Sequence, residues 1–264
     1  MYNQISSSLN LIRHRSPLIH NISNFVTMDL VANGLLAMGA SPIMAHASEE
    51  LTEIINISES LSLNIGTLDD TWIKACKIAL RHAQQKNIPV VLDPVGAGAT
   101  KLRTRTSIEL LEQGGIKFIK GNASEIIALS GKQLDSSKGV ENTSTLEQAL
   151  DAGKALAEKY NICVVITGKQ DAIISAQAIE QFTFGHPIMT KVTGIGCLLN
   201  SVIATFATLP LDAFAAAKQA TLFFAICGEE AAKNCDPLAP ASFRSAFINQ
   251  LYLMNQTTLS NYLK

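Results

Sequence analysis

Charge is scarce in this sequence: Asp, Glu, Lys and Arg make up only 16% of its 264 residues, and the formal net charge is -1. There is no basic cluster, and aromatic residues reach only 6%. Nothing in it resembles a phosphate-backbone stripe or a base-stacking platform, so nucleic acid is not expected as a partner. The five cysteines (Cys76, Cys163, Cys197, Cys227, Cys235) are odd in number and lack CxxC spacing, and the histidines are scattered. Local spacing therefore assembles no zinc set, and reduced thiols in a cytoplasm are the simplest reading. Long hydrophobic runs are missing too. The opening MYNQISSSLNLIRHRSP has no apolar signal core, and the apolar stretches near 195–209 and 213–227 are too short or interrupted for a membrane span. The expectation is a soluble protein.

What is present is apolarity of a particular kind. Hydrophobic residues account for 47%, largely Ala, Ile and Leu in helical-looking stretches, as in an α/β protein whose sheet is covered on both faces. Low surface charge also leaves room for a subunit interface. Short apolar runs at 18–21, 41–44, 62–65, 89–93, 118–120 and 163–167 read as strands. Between and around them, helical periods occupy roughly 26–38, 49–61, 69–86, 104–113, 123–130 and 145–160. Such alternation predicts a parallel sheet with crossover helices. After Gly168 the rhythm breaks: 171–176 and 181–184 form a hairpin-like pair, adding an antiparallel edge. From Thr193 onward the chain reads as all helix, at about 195–208, 211–233 and 242–258. No linker or composition shift divides it, so residues 1–264 are read as one domain.

Open α/β sheets bind ligands outside the carboxyl ends of their strands. Four strand ends carry Gly, Asp or Asn: Asn64-Ile65-Gly66-Thr67, Asp93-Pro94-Val95-Gly96, Lys120-Gly121-Asn122 and Thr167-Gly168. In Asp93-Pro94 the proline turns the chain and leaves a carboxylate at the sheet edge. It suits a hydrated magnesium ion or, equally, a simple turn. Asn122-Ala123-Ser124-Glu125 resembles a capping box, and its Glu125 also points near the same edge, where it could share a metal. Lys120 either reaches a nucleotide phosphate or is solvated. Thr167-Gly168 offers a nucleotide contact or a β-turn.

Thr193-Gly194-Ile195-Gly196-Cys197 precedes an apolar helical run. Two glycines at a helix mouth let backbone N–H groups approach an anion, with Thr193 as a candidate cap. An ordinary glycine turn fits the same residues. In the first turn the thiol of Cys197 is expected to have a lowered pKa, serving as a base or only as a small polarizable filler. Met44 suits a pocket for a flat heteroaromatic or a core gap. His20 and His46 are read as structural.

Taken together, His20-Asn21-Ile22-Ser23-Asn24, Ala32-Asn33-Gly34 through Ser41-Pro42-Ile43-Met44, Leu63-Asn64-Ile65-Gly66-Thr67, Leu92-Asp93-Pro94-Val95-Gly96, Gly121-Asn122-Ala123-Ser124-Glu125, Ile166-Thr167-Gly168 and Val192-Thr193-Gly194-Ile195-Gly196-Cys197 resemble the hydroxyethylthiazole kinase family. The resemblance runs in order over nearly the whole chain. It implies a ribokinase-like, three-layer α/β/α fold and phosphorylation of 4-methyl-5-(2-hydroxyethyl)thiazole by ATP with Mg2+, a salvage step toward thiamine. It also implies a homotrimer with sites at subunit interfaces. By position, Met44 and Gly194 would contact the thiazole alcohol, with Asn24 and Gly66 nearby. Lys120 and Thr167 match ATP-binding positions, and Asp93 and Glu125 match metal-associated carboxylates. Cys197 stands where related sugar kinases place a catalytic Asp. Three positions depart from the family pattern: Lys120 for a common Arg, Ile195 for a smaller residue, and Phe25 for a smaller or polar one. The rival readings are a kinase for another vitamin-precursor alcohol such as hydroxymethylpyrimidine, and a non-catalytic ligand-binding relative.

Overall fold

The computed structural model describes residues 1–131, 143–236 and 238–263. Its centre is an eight-stranded sheet built from β1 (Leu18–Ile22), β2 (Ser41–Met44), β3 (Ser60–Asn64), β4 (Val90–Asp93), β5 (Phe118–Asn122), β6 (Cys163–Thr167), β7 (Asp171–Ile174) and β8 (Ile179–Phe182). Spatial order is β2-β1-β3-β4-β5-β6-β7-β8. The first six strands are parallel, and β7 and β8 add the antiparallel edge anticipated from the break after Gly168.

Side chains of a strand alternate between the two sheet faces, and each face is covered here. Val90, Leu92, Val164 and Ile166 pack with α3 (Leu51–Ile57), α4 (Asp70–Lys86), α5 (Lys101–Gln113), α6 (Ala123–Leu129) and α7 (Thr143–Tyr160). Val91, Cys163 and Val165 point the other way. They share one core with α1 (Tyr2–Arg15), α2 (Met28–Met38), α8 (Ile195–Phe206), α9 (Ala213–Lys233), α10 (Pro240–Leu253) and α11 (Gln256–Ser260). This is the expected three-layer arrangement with a helical C-terminal part.

Two expectations fail locally, and one element was not anticipated. The helix read as 49–61 stops at Ile57, and Ser60 and Leu61 already belong to β3. The last helix divides at Met254 and Asn255, where the Asn255 side chain accepts from the Thr258 N–H and starts α11. The N-terminal residues, read only as lacking a signal core, form α1.

Helix α8 decides the placement of the site. Every residue of it is buried except Gly196 and Cys197, which open toward the carboxyl ends of the strands. Its polar residues are pinned rather than solvated. Asn200 Nδ2 donates to Ser62 Oγ at 2.9 Å, and Ser201 Oγ donates to Asn21 Oδ1 at 2.7 Å. Ser62 and Ser201 hydroxyls also meet at 3.0 Å. Unpaired, each such group would cost about 1–3 kcal/mol, so one seating of α8 on β1 and β3 is favoured over its slips.

Candidate active site

At the carboxyl edge, register alone brings the strand ends together: Asn64 lies opposite Asp93, and Asn122 opposite Thr167. The Asp93 carboxylate is buried, and its Oδ2 accepts from Lys120 Nζ at 3.0 Å and from Asn64 Nδ2 at 2.9 Å. Its Oδ1 is also buried, without a hydrogen-bond partner among the described residues. Burial pushes the Asp93 pKa up to about 6, against the lowering influence of Lys120. For Lys120 burial is the largest single influence and acts downward, but the charges of Asp93, Cys197 and Glu125 and the hydrogen bond to Asp93 together outweigh it, and the net shift is upward. Both groups are therefore charged at neutral pH. Lys120 is 5% exposed, so the solvated alternative is overturned.

Above this pair sits the start of α8. Lys120 Nζ also donates to the Gly196 carbonyl at 3.1 Å. Gly194 is the N-cap, with φ 96°, and no side chain caps the helix. Thr193 does not fill the capping role expected of it; it is exposed one residue earlier. First-turn N–H groups have no intrahelical acceptor, and here none is taken by a capping side chain. A Cβ on Gly194 would stand 2.9 Å from Thr27 Cγ2 and 3.1 Å from Leu30 Cδ2, so the glycine is what allows α2 this close. Ile195 turns into the core and leaves the helix mouth uncrowded.

Cys197, half-buried in that first turn, contradicts the expected lowered thiol pKa. Burial and then the Asp93 charge raise it, outweighing Lys120 and the Thr27 and Asn64 side chains near the sulfur. A helix terminus contributes a partial charge only; burial of the thiol, with a full carboxylate nearby, dominates it.

Glu125 makes the complete capping box: Asn122 Oδ1 accepts from the Glu125 N–H at 2.9 Å, and Glu125 Oε2 accepts from the Asn122 N–H at 2.8 Å. Its other oxygen accepts from the Gly96 N–H at 2.8 Å, tying the loop after β4 to α6. Thr167 Oγ1 reaches the Gly121 carbonyl at 3.4 Å, and Asp171 Oδ1 accepts from the Gly168 N–H at 3.0 Å.

On the other flank, Asn24 Oδ1 accepts from Thr67 Oγ1 at 2.8 Å and from the Val26 N–H at 3.0 Å. A Cβ on Gly66 would come within 2.2 Å of Asn24 Nδ2, so this approach also needs glycine. Phe25, 51% exposed, packs against Trp72 and His46, both at 4.9–5.6 Å between ring centroids. Met44 ends β2 in register with Asn21 and packs partly into the core. His20 is buried, its Nε2 2.8 Å from the Ala45 carbonyl and its Nδ1 without a partner among the described residues.

The sequence thus named the strand-end groups, Asn64 among them without a role, but missed Thr27 and Arg103 as their supports. Asn64 had a signal, its place at the end of an apolar strand. The other two had none, because Thr27 acts through close packing and Arg103 through main-chain carbonyls. A groove of about 430 Å³ lined by Val26, Leu30, Lys191, Thr193 and Arg244 among others lies along the approach to Gly194. A larger concavity of about 670 Å³ runs along α5 between Gly98 and Glu112.

The profile of the "Hydroxyethylthiazole kinase family" matches residues 9–257. A hydroxyethylthiazole kinase of Syntrophus aciditrophicus is 43% identical over 258 residues, covering 98% of this chain and 95% of that protein. The solved structure of a hydroxyethylthiazole kinase from Pyrococcus horikoshii OT3 superposes with a TM-score of 0.90 at 37% identity, covering 99% of this chain and 98% of the other. A ribokinase-like superfamily protein from Enterococcus faecalis V583 shares the fold alone, with a TM-score of 0.62 at 17% identity and coverage of 95% and 89%.

Proposed function

Because the chain belongs to the hydroxyethylthiazole kinase family, we propose that it transfers the γ-phosphoryl group of ATP to the primary alcohol of 4-methyl-5-(2-hydroxyethyl)thiazole. The products are ADP and the thiazole phosphate, with the hydroxyl proton released. The observation that carries this reading is the Lys120–Asp93 pair standing beneath the uncapped first turn of α8. Phosphoryl transfer needs positioning and charge neutralisation more than covalent help, and this corner supplies both.

In this reading the amides of Gly194 to Cys197 face the phosphoryl oxygens, and the Lys120 ammonium stabilises their charge from below. Thr167 and the Gly168 loop hold the nucleotide. Asn24, Met44 and Gly66 line the acceptor side with Gly194. Mg2+ is usually held by one or two carboxylates, substrate phosphates and water. The unpartnered Asp93 Oδ1 suits such a site, with Glu125 beside it. Glu125 already accepts two backbone N–H groups, so its part is the weaker of the two. When bound, the ion would offset charge on the phosphates.

Cys197 is read as a neutral thiol beside the acceptor hydroxyl, in the position of a base without its charge. A transition state with loose bonding does not need a fully formed alkoxide beforehand. The expected result for Cys197→Ala is a fall in kcat of less than about tenfold; a loss of about 10²–10⁴ would return the general-base role to it.

A coupled ADP-release assay with the thiazole alcohol and with hydroxymethylpyrimidine tests the whole reading. Faster turnover of the thiazole is expected, whereas binding of either alcohol without ADP release would favour a non-catalytic relative. We read residues 1–264 as one kinase domain because the C-terminal helices share one core with strands of the single sheet. A cytoplasmic homotrimer completes the proposal. The free cysteines support the compartment. Exposed Phe25 and Val26 at the site mouth support a subunit contact, which light scattering would measure. Among the described residues no helix is long and apolar enough to cross a membrane.

A further inference from the structure

We infer that Arg103 is a positioning residue, fixing the separation between the acceptor side of the site and its phosphoryl side. This rests on the assignment of Gly66 to the acceptor and Asp93 to the phosphoryl end. The β3–β4 ladder closes at Asn64 opposite Asp93, with a final bond from the Ile65 N–H to the Asp93 carbonyl at 3.2 Å. Beyond that point the two chains part, β3 into Gly66-Thr67 and β4 into Pro94-Val95-Gly96. The Arg103 guanidinium bridges the gap where the ladder ends. Its Nη1 donates to the Val95 carbonyl at 2.7 Å and to the Ile65 carbonyl at 3.0 Å. Its Nη2 donates to the Gly66 carbonyl at 3.0 Å.

The bridge is built on a rigid support. Arg103 lies in the first turn of α5, where its own N–H is taken by the Thr100 Oγ1 cap at 3.2 Å. Its stem lies against Gly96, where a Cβ would sit 2.9 Å from Arg103 Cδ. Gly96 is in turn bonded through its N–H to Glu125. Arg103 makes no ion pair among those found in the described residues. Its recorded side-chain bonds all go to main chain in the two loops flanking the reaction axis. A planar fork reaches three carbonyls at once; a lysine ammonium at the same place is a single point with a flexible stem.

Phosphoryl transfer depends on acceptor and phosphorus being held in line, and a misplacement of about 1 Å can lower the rate about 10²-fold. For Arg103→Lys the expectation is therefore a fall in kcat of about 30-fold or more per folded molecule, with the KM for ATP changed less than about threefold. Arg103→Ala should fall similarly and recover part of its kcat on addition of guanidinium chloride well below denaturing concentrations. The idea is overturned if kcat per folded molecule of Arg103→Lys stays within about threefold of the parent. It is equally overturned if neither variant can be recovered folded, since Arg103 would then hold the chain rather than the site. Each variant is assayed with whichever alcohol the parent turns over. A parent inactive on the thiazole alcohol but active on another sinks the substrate assignment and leaves this test standing.

Discussion

Replacing Gly194 with valine is expected to lower kcat/KM by about 10³-fold or more, the largest single effect predicted for this chain. Two causes act together. Gly194 has φ 96°, a left-handed backbone in which a β-branched residue is strongly disfavoured. Its Cβ would also press on Thr27 and Leu30 at 2.9–3.1 Å, so α2 and the start of α8 must separate. The rest of α8 cannot follow, because Asn200 and Ser201 hold it to Ser62 and Asn21. The first turn alone must therefore distort, and that turn carries the amides proposed to face the phosphoryl group. Gly194→Ala should lie between the parent and the valine variant, sharing the backbone strain with less crowding. Steady-state kinetics beside a melting curve separate misplacement from unfolding. A folded valine variant with unchanged kcat/KM would remove phosphoryl transfer from this helix mouth.

How much of this was legible before the structure follows from what each residue bonds to. Asp93 was readable because an apolar run ends on it and Pro94 forbids the strand to continue. The parallel sheet was readable because its strands are covered on both faces and show as plain apolar runs. The start of β3 was harder. Ser60 and Leu61 fall in the span read as helix, and Ser62, which follows them, finds its partners on α8, far along the chain. Helix α1 hid for a similar reason, since it buries Ser6 and Ser8, with Ser8 Oγ donating to Gln219 at 2.7 Å. Lys120 and Asp93 were each assigned a separate ligand. Only the β4–β5 register, Leu92 opposite Ile119, makes them neighbours and turns two contacts into one buried ion pair. The misjudged thiol of Cys197 has the same origin: its helix position was visible, and its burial beside a carboxylate was not.

That ion pair carries the second large prediction. Asp93→Asn is expected to lower kcat by about 10³-fold, since it removes the carboxylate that pairs with Lys120 and, in the proposed reading, offers Oδ1 to a cation. It also leaves the Lys120 ammonium buried against neutral acceptors, the carboxamide oxygen and the Gly196 carbonyl, in place of its ion-pair partner. Breaking a buried pair from one side costs about 3 kcal/mol or more, partly offset here because the amide escapes the desolvation that raises the Asp93 pKa. The pH behaviour of the parent has a distinct sign. Protonation of Asp93 below about 6 removes the charge that the reaction uses, so kcat/KM should rise with pH through that value. Stability should move the other way. The folded pKa of about 6 lies above the unfolded reference of 3.8, so the native state binds this proton more tightly. The contribution of Asp93 to stability is then fully present below the lower value and declines as pH rises toward the upper one. A melting series and a rate profile over the same buffers measure both limbs. An acid limb that persists unaltered in the residual activity of Asp93→Asn would assign it to another group.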